Sequence, residues 1–137
     1  MTVALNDAVR KLLDAPYPAV LSTVNPDGSP QSSVVWVSRE GEDVLISTEQ
    51  GRRKERNILR EPRVSLTVYD PTDPFLYVEV RGEATVTEDA GRAVAVRIAE
   101  EYAGPGAGDE YRDLPPEDVR VVVRLTPTRV LGNAARA

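Results

Sequence analysis

Residues 18–38 read PAVLSTVNPDGSPQSSVVWVS, two extended apolar runs on either side of Asn25-Pro26-Asp27-Gly28. Proline presets φ for a turn and glycine reaches positive φ without steric cost, so this tetrapeptide reverses the chain. Pro18 to Val24 and Pro30 to Ser38 therefore read as the arms of a β-hairpin. Downstream, Arg39 to Asp43 turns the chain into a third strand, Val44 to Thr48. Upstream, Asn6 caps a short helix to Asp14 with Leu5, Val9, Leu12 and Leu13 on one face, and Pro16 and Pro18 end it.

The same reading extends to the C-terminus. Glu49-Gln50-Gly51 breaks the third strand, and Arg52 to Arg60 forms a short helix stopped before Pro62. Val64, Leu66 and Val68 alternate with Ser65, Thr67 and Tyr69, the period of a half-buried strand. Pro71-Thr72-Asp73-Pro74 turns into a long strand, Phe75 to Thr87, in which Gly82 marks a bulge or a close backbone approach. Glu88 to Tyr102 reads as a helix, ended by a glycine-rich loop over 104–108 that reads as a flap flanked by Tyr102 and Tyr111. Val119 to Leu125 and Arg129 to Leu131 read as a final strand pair separated near Pro127, with a frayed tail after Asn133. Six or seven strands with hairpin-length links imply a mainly antiparallel sheet closed into a barrel, with helices outside.

Composition bounds the chemistry. The 137 residues suffice for one domain spanning 1–137, and 41% of them are hydrophobic, enough for a real core. No apolar run is long enough to cross a membrane, and the N-terminal stretch lacks the features of a signal peptide, so a cytoplasmic protein is expected. With no Cys and no His, disulfides, thiolate nucleophiles, Ser-His-Asp triads and the usual haem and zinc ligands are excluded, and no metal site is expected. A net charge of −5 argues against nucleic acid as a partner. An enzyme of this composition needs a cofactor to carry the hard chemistry.

One segment stands apart. Between residues 52 and 63, six cations (Arg52, Arg53, Lys54, Arg56, Arg60 and Arg63) face only Glu55 and Glu61, while the rest of the chain is acidic. A strand ending in Ser47-Thr48 leads through a glycine turn to the N-terminus of a helix, where free amides and the helix dipole favour a phosphate. Arg52 and Lys54 sit at that entry, and Asn57 follows Lys54 by three residues. Arg-rich short helices also occur as plain solvated faces, and the residues alone leave both readings open.

The chain resembles the pyridoxamine-phosphate-oxidase-like split-barrel superfamily over nearly its whole length, and within it the actinobacterial F420-dependent reductase branch. The resemblance rests on Ala19-Val20-Leu21-Ser22-Thr23-Val24, Asp27-Gly28-Ser29-Pro30-Gln31-Ser32-Ser33, Ile46-Ser47-Thr48, Arg52 to Ile58, Glu61-Pro62-Arg63-Val64-Ser65-Leu66 and Tyr77 to Ala84, all in the expected order. It implies a split β-barrel with flanking helices, and a cofactor lying in a groove between two identical subunits. On that basis Arg52, Lys54 and Asn57 hold the cofactor phosphate, with Ser47 and Thr48 at the strand end beside them. Pro30, Gln31 and Ser33 line the ring system, Phe75 and Tyr77 complete the partner's pocket, and Arg53 reaches the acidic tail of the coenzyme.

The resemblance thus implies hydride transfer from reduced F420 to a small organic acceptor, with no catalytic side chain assigned. FMN is the alternative cofactor, since both carry a phosphate at comparable positions. Pyridoxamine-phosphate oxidase activity itself is disfavoured, because the stretch Arg129 to Asn133 lacks that enzyme's C-terminal substrate motif. The rival from another class is a binding module that carries the cofactor without turnover. Trp36 reads as core or interface, and Arg81 as the partner of a glutamate.

Overall fold

A computed structural model describes residues 3–137; Met1 and Thr2, the start of the N-terminal stretch, lie outside it. The hairpin forms as its sequence dictates. β1 (Ala19–Val24) and β2 (Pro30–Val35) pair antiparallel from Ala19 opposite Val35 to Val24 opposite Pro30. Gly28 takes φ 87°, and its amide donates to the Asn25 carbonyl at 2.9 Å.

Only Trp36 separates β2 from β3 (Val37–Glu40), yet the two lie at opposite ends of a seven-stranded sheet ordered β2-β1-β5-β6-β7-β4-β3. The other members are β4 (Asp43–Glu49), β5 (Arg63–Asp70), β6 (Asp73–Glu88) and β7 (Arg120–Leu131). Every pairing is antiparallel. A single residue cannot span a flat sheet of that width, so the sheet curls until its two ends meet at Trp36. The result is a split barrel. Trp36 is stacked on Tyr102, with centroids 4.8 Å apart and planes 7° from parallel. The Tyr102 hydroxyl accepts from the Val37 amide at 3.0 Å and donates to the Tyr17 carbonyl at 2.8 Å, fixing the corner.

Strand alternation fills the barrel. Leu21, Leu66, Val68, Val78, Val80, Val44, Ile46, Val123 and Leu125 are all fully buried. α1 (Asp7–Asp14) adds Val9, Leu12 and Leu13 to the core, and its Asn6 cap accepts from the Val9 amide at 2.8 Å. α2 (Arg53–Arg60) packs Ile58 against the barrel, and α3 (Ala93–Ala103) buries Ala95, Ile98 and Ala99.

Five features differ from the sequence reading. The second hairpin arm, read as one strand from Pro30 to Ser38, ends at Val35, because the chain turns the barrel corner at Trp36 and Val37–Glu40 pairs with β4 instead. The last strand pair is one continuous strand, β7, because Pro127 lies opposite Gly82 where the β6 register shifts, a place that needs no regular ladder hydrogen bond. The third helix starts late: a 3₁₀ turn over Ala90–Arg92 precedes α3, and the buried Asp89 carboxylate caps it by accepting from Val94 and Ala95 at 3.0 and 2.9 Å. The glycine-rich loop runs into a short helix, α4 (Asp109–Arg112), docked where Gly108 meets Val96; a Cβ there would lie 2.5 Å from Val96 Cγ1. The tail is pinned rather than frayed, with Ala134 buried, its carbonyl accepting from Asn6 at 2.9 Å. Among the described residues no helix is long and apolar enough to cross a membrane.

The close approach read at Gly82 is present. A Cβ at that position would lie 2.1 Å from the Thr126 carbonyl oxygen. Backbone cannot yield as a flexible side chain can, so Gly82→Ala is expected to lower stability by about 3 kcal/mol in urea denaturation. An unchanged midpoint would contradict the β6–β7 packing described here.

Candidate functional site

β4 ends in Ser47-Thr48-Glu49, and the chain turns through Gly51, at φ 92°, into α2. Hydrogen bonds fix this turn, among them the Arg52 amide donating to the Glu49 carbonyl at 3.3 Å and Arg56 Nε donating to the Gly51 carbonyl at 2.9 Å. The Gln50 amide donates to the Val119 carbonyl at 2.9 Å, and the buried Glu55 carboxylate accepts from the Gly51 amide at 3.1 Å. The N-cap of α2 is Arg52, which offers no side-chain acceptor to the first turn. A side-chain acceptor is thus missing at the end of the helix where an anion is favoured.

Beside this turn opens a cavity of about 330 Å³. Its charged wall is Glu49, Arg52 and Lys54 with Arg120 from the start of β7; Ser47 and Thr48 form the floor. The apolar wall is Val34 and Val35 from the end of β2, Trp36 from the barrel corner, Tyr111 from α4, and Ala95, Ile98 and Ala99 from α3. Arg52 lies 3.7 Å from Glu49. Lys54 and Arg120 have no carboxylate within ion-pair distance among the described residues. Burial, then the charges of Arg52 and Arg120, hold the Lys54 ammonium below its ordinary range. A half-buried cation facing two others is a poor arrangement by itself and a good one for an anion.

The sequence-predicted residues divide into groups. Ser47, Thr48, Arg52 and Lys54 meet at the cavity. Arg53 points to solvent and is not part of its lining. Asn57 does not line it either: fully buried, its amide donates to Thr23 Oγ1 at 2.9 Å and Asn25 Oδ1 at 3.0 Å, tying α2 to the hairpin. The Thr23 hydroxyl in turn donates to Gln31 Oε1 at 2.9 Å. The chain of donors from Asn57 through Thr23 occupies the Gln31 carbonyl; its NH₂ donates to the Ser32 carbonyl at 3.4 Å and keeps a second hydrogen for another acceptor.

Pro30, Gln31 and Ser33 lie on β2, outside the cavity lining. The Ser33 hydroxyl is buried with no hydrogen-bond partner among the described residues. Phe75 and Tyr77, on β6, also lie outside the lining, 83% and 41% exposed. Asn133 holds that strand end by accepting from the Tyr77 amide at 2.9 Å and donating to the Phe75 carbonyl at 2.5 Å. Arg81 pairs with Glu79 at 2.9 Å, as its sequence context suggests.

Sequence reasoning did not single out Arg120, and it read Trp36 as core or interface. Arg120 reaches the site because β4 and β7 pair with Glu49 opposite Arg120. That register was not readable from local pattern. Trp36 is both corner and wall: one face rests on Tyr102, and the residue is still 41% exposed toward the cavity side.

The geometry suits a phosphate-bearing cofactor with a flat ring. The uncompensated Lys54, the Arg120 Nε buried without a partner, the open first turn of α2 and the unpartnered Ser33 hydroxyl all fit such a group. The phosphate would fall to Lys54, Arg52 and Ser47.

Comparison with known proteins agrees with this fold. A solved structure described as an F420 reductase superposes with a TM-score of 0.77 at 34% identity, over 89% of this chain and 94% of that one. A conserved hypothetical protein from Mycobacterium tuberculosis gives 0.75 at 25% identity, over 94% and 84%. The haem storage protein of Vibrio cholerae gives 0.69 at 17% identity, over 95% of each chain, a likeness of fold alone. The sequence signature of the pyridoxamine 5′-phosphate oxidase family matches residues 5–134, nearly the full length. The chain belongs to the pyridoxamine 5′-phosphate oxidase family and has its split-barrel fold.

Proposed function

We propose that this protein is an F420-dependent reductase, passing a hydride from the reduced deazaflavin to a small organic acceptor, with FMN as the alternative cofactor. The observation that carries the reading is the cavity at the β4–α2 turn, where Lys54 is half buried among cations without a carboxylate partner. The 34% identity to an F420 reductase over 89% of the chain favours the deazaflavin over FMN.

When bound, a deazaflavin supplies hydride chemistry that the side chains here cannot. The residues of this chain bind, orient and exclude water. Lys54, Arg52 and Ser47 hold the phosphate with charge-assisted hydrogen bonds, Thr48 backs them, and Arg53 stands outside near an acidic tail. Gln31, its carbonyl fixed by Thr23, donates its NH₂ to the polar edge of the ring, with Pro30 and Ser33 beside it. Asn57 acts through this relay as a positioning residue. The site of action is the cytoplasm.

The reading includes a homodimer. The outer face of β2-β1-β5-β6 carries exposed Val34, Val20, Tyr69 and Tyr77, with Val20 directly opposite Val34 and Tyr69 opposite Tyr77. Such a face is costly in water and suits a second copy. Phe75 and Tyr77 would then complete the partner's ring pocket. Val20→Glu, on the same face but outside the cavity lining, is expected to shift the protein from dimer to monomer in sedimentation; a wild-type monomer would remove this element.

Fluorescence titration with F420 and, separately, FMN tests the cofactor. Lys54→Met is expected to weaken the preferred ligand by roughly tenfold to a hundredfold, the scale of one lost charged hydrogen bond. Unaltered affinity, or binding of neither ligand by the wild type, would overturn the site. Binding without oxidation of reduced F420 across enone, quinone and nitroaromatic acceptors would make the protein a carrier.

The same lysine predicts a pH effect. Its lowered folded value means the unfolded chain keeps the proton more tightly between that value and the ordinary one, so stability rises with pH across that window. Ligand-free Lys54→Met is therefore expected to melt no lower than wild type at neutral pH, with the difference changing in favour of wild type as pH rises. A large loss of melting temperature at neutral pH would show that Lys54 is instead a stabilising residue.

A further inference from the structure

Arg120 and Arg124 lie four residues apart on β7, and therefore on the same face of the strand. Arg124 is paired twice, with Glu40 at 2.8 Å and Asp43 at 3.0 Å. Arg120 is not paired with any carboxylate among the described residues, although Glu49 is its cross-strand neighbour. Glu49 instead lies 3.7 Å from Arg52.

What holds Arg120 is weaker. One guanidinium nitrogen donates to Ser47 Oγ at 2.9 Å, and the group lies over the Tyr111 ring, 5.1 Å from its centroid. Its Nε is buried and makes no hydrogen bond among the described residues. A guanidinium has five donors, and leaving one dry and unused is unfavourable unless something else takes it. Ser47 and the π face keep Arg120 turned toward the cavity, where Lys54 is the other cation without a carboxylate. With Arg52 and Glu49 offsetting each other, Lys54 and Arg120 leave the cavity two positive charges in excess.

We propose that Arg120 is an anion-binding residue, and that with Lys54 it forms a two-cation subsite for a phosphate group, one cation for each of two non-bridging oxygens. The inference rests on reading the cavity as a phosphate site and adds a second cation to its binding set. Tyr111, on the docked helix α4, is the positioning residue that holds the guanidinium plane.

The test measures binding of inorganic phosphate and, separately, formate by calorimetry at constant ionic strength, in wild type, Arg120→Met and Arg120→Lys. Wild type is expected to prefer phosphate. Arg120→Met is expected to lose phosphate affinity by roughly tenfold or more while its formate affinity changes little, and Arg120→Lys to recover most of the loss. Equal phosphate affinity in wild type and Arg120→Met overturns the proposal, as does tungstate density in a soaked crystal that lies away from the Arg120 guanidinium. Titration of the same wild-type sample with F420 and FMN separates the two readings. Phosphate binding that depends on Arg120 without binding of either cofactor leaves the subsite and removes the cofactor; cofactor binding indifferent to Arg120→Met does the reverse.

Discussion

One residue of chain, Trp36, joins strands at the two ends of a seven-stranded sheet. That continuity closes the barrel, and most of the molecule is arranged around it. Closure brings the end of β4, the start of β7 and the flank of α3 to one side, and it sets the corner tryptophan as a wall of the space between them. Tyr102 serves this corner at both ends: its ring supports Trp36 and its hydroxyl bridges Val37 and Tyr17. Burial pushes the Tyr102 phenol upward, so it stays neutral while accepting the Val37 amide and donating to Tyr17.

The electrostatics are those of an acidic protein with two unpaired cations in one cavity. Most arginines are answered nearby: Arg10 by Glu42, Arg39 by Asp14, Arg63 by Glu61 and Arg124 by Glu40 and Asp43. Such exposed pairs contribute little to stability individually. Other cations, such as Arg53, Arg56 and Arg129, also form no ion pair among the described residues, but they do not line the cavity. Lys54 and Arg120 are without carboxylate partners among the described residues, and they share one cavity. Burial there makes their charge more effective toward an anion than the same charge would be in open water.

Much of the fold was legible because its signals are local. The Asn25–Gly28 turn, the alternation over residues 64–69 and the Asn6 cap each depend on neighbours in sequence, and each stands as read. Gly82 was legible as a close approach, but not what approached it; the Thr126 carbonyl comes from a strand more than forty residues away. Pro127 seemed to break the last strand because its partner at the β6 irregularity could not be seen. The site shows the same division. The cluster from Ser47 to Lys54 is contiguous and visible, whereas Arg120 enters through the β4–β7 register and Asn57 is drawn away by the packing of α2 on the hairpin.

The central claim is that the cavity between the β4–α2 turn, α3 and the start of β7 holds the anionic group of a redox cofactor. A crystal structure of the protein with F420 tests it most directly. The account predicts the phosphate within charge-assisted hydrogen-bond distance, about 2.7–2.9 Å, of Lys54 Nζ, with the ring running toward β2 and Gln31. A phosphate held elsewhere, for example on the outer arginines Arg60 and Arg63, with this cavity left to solvent, would contradict it.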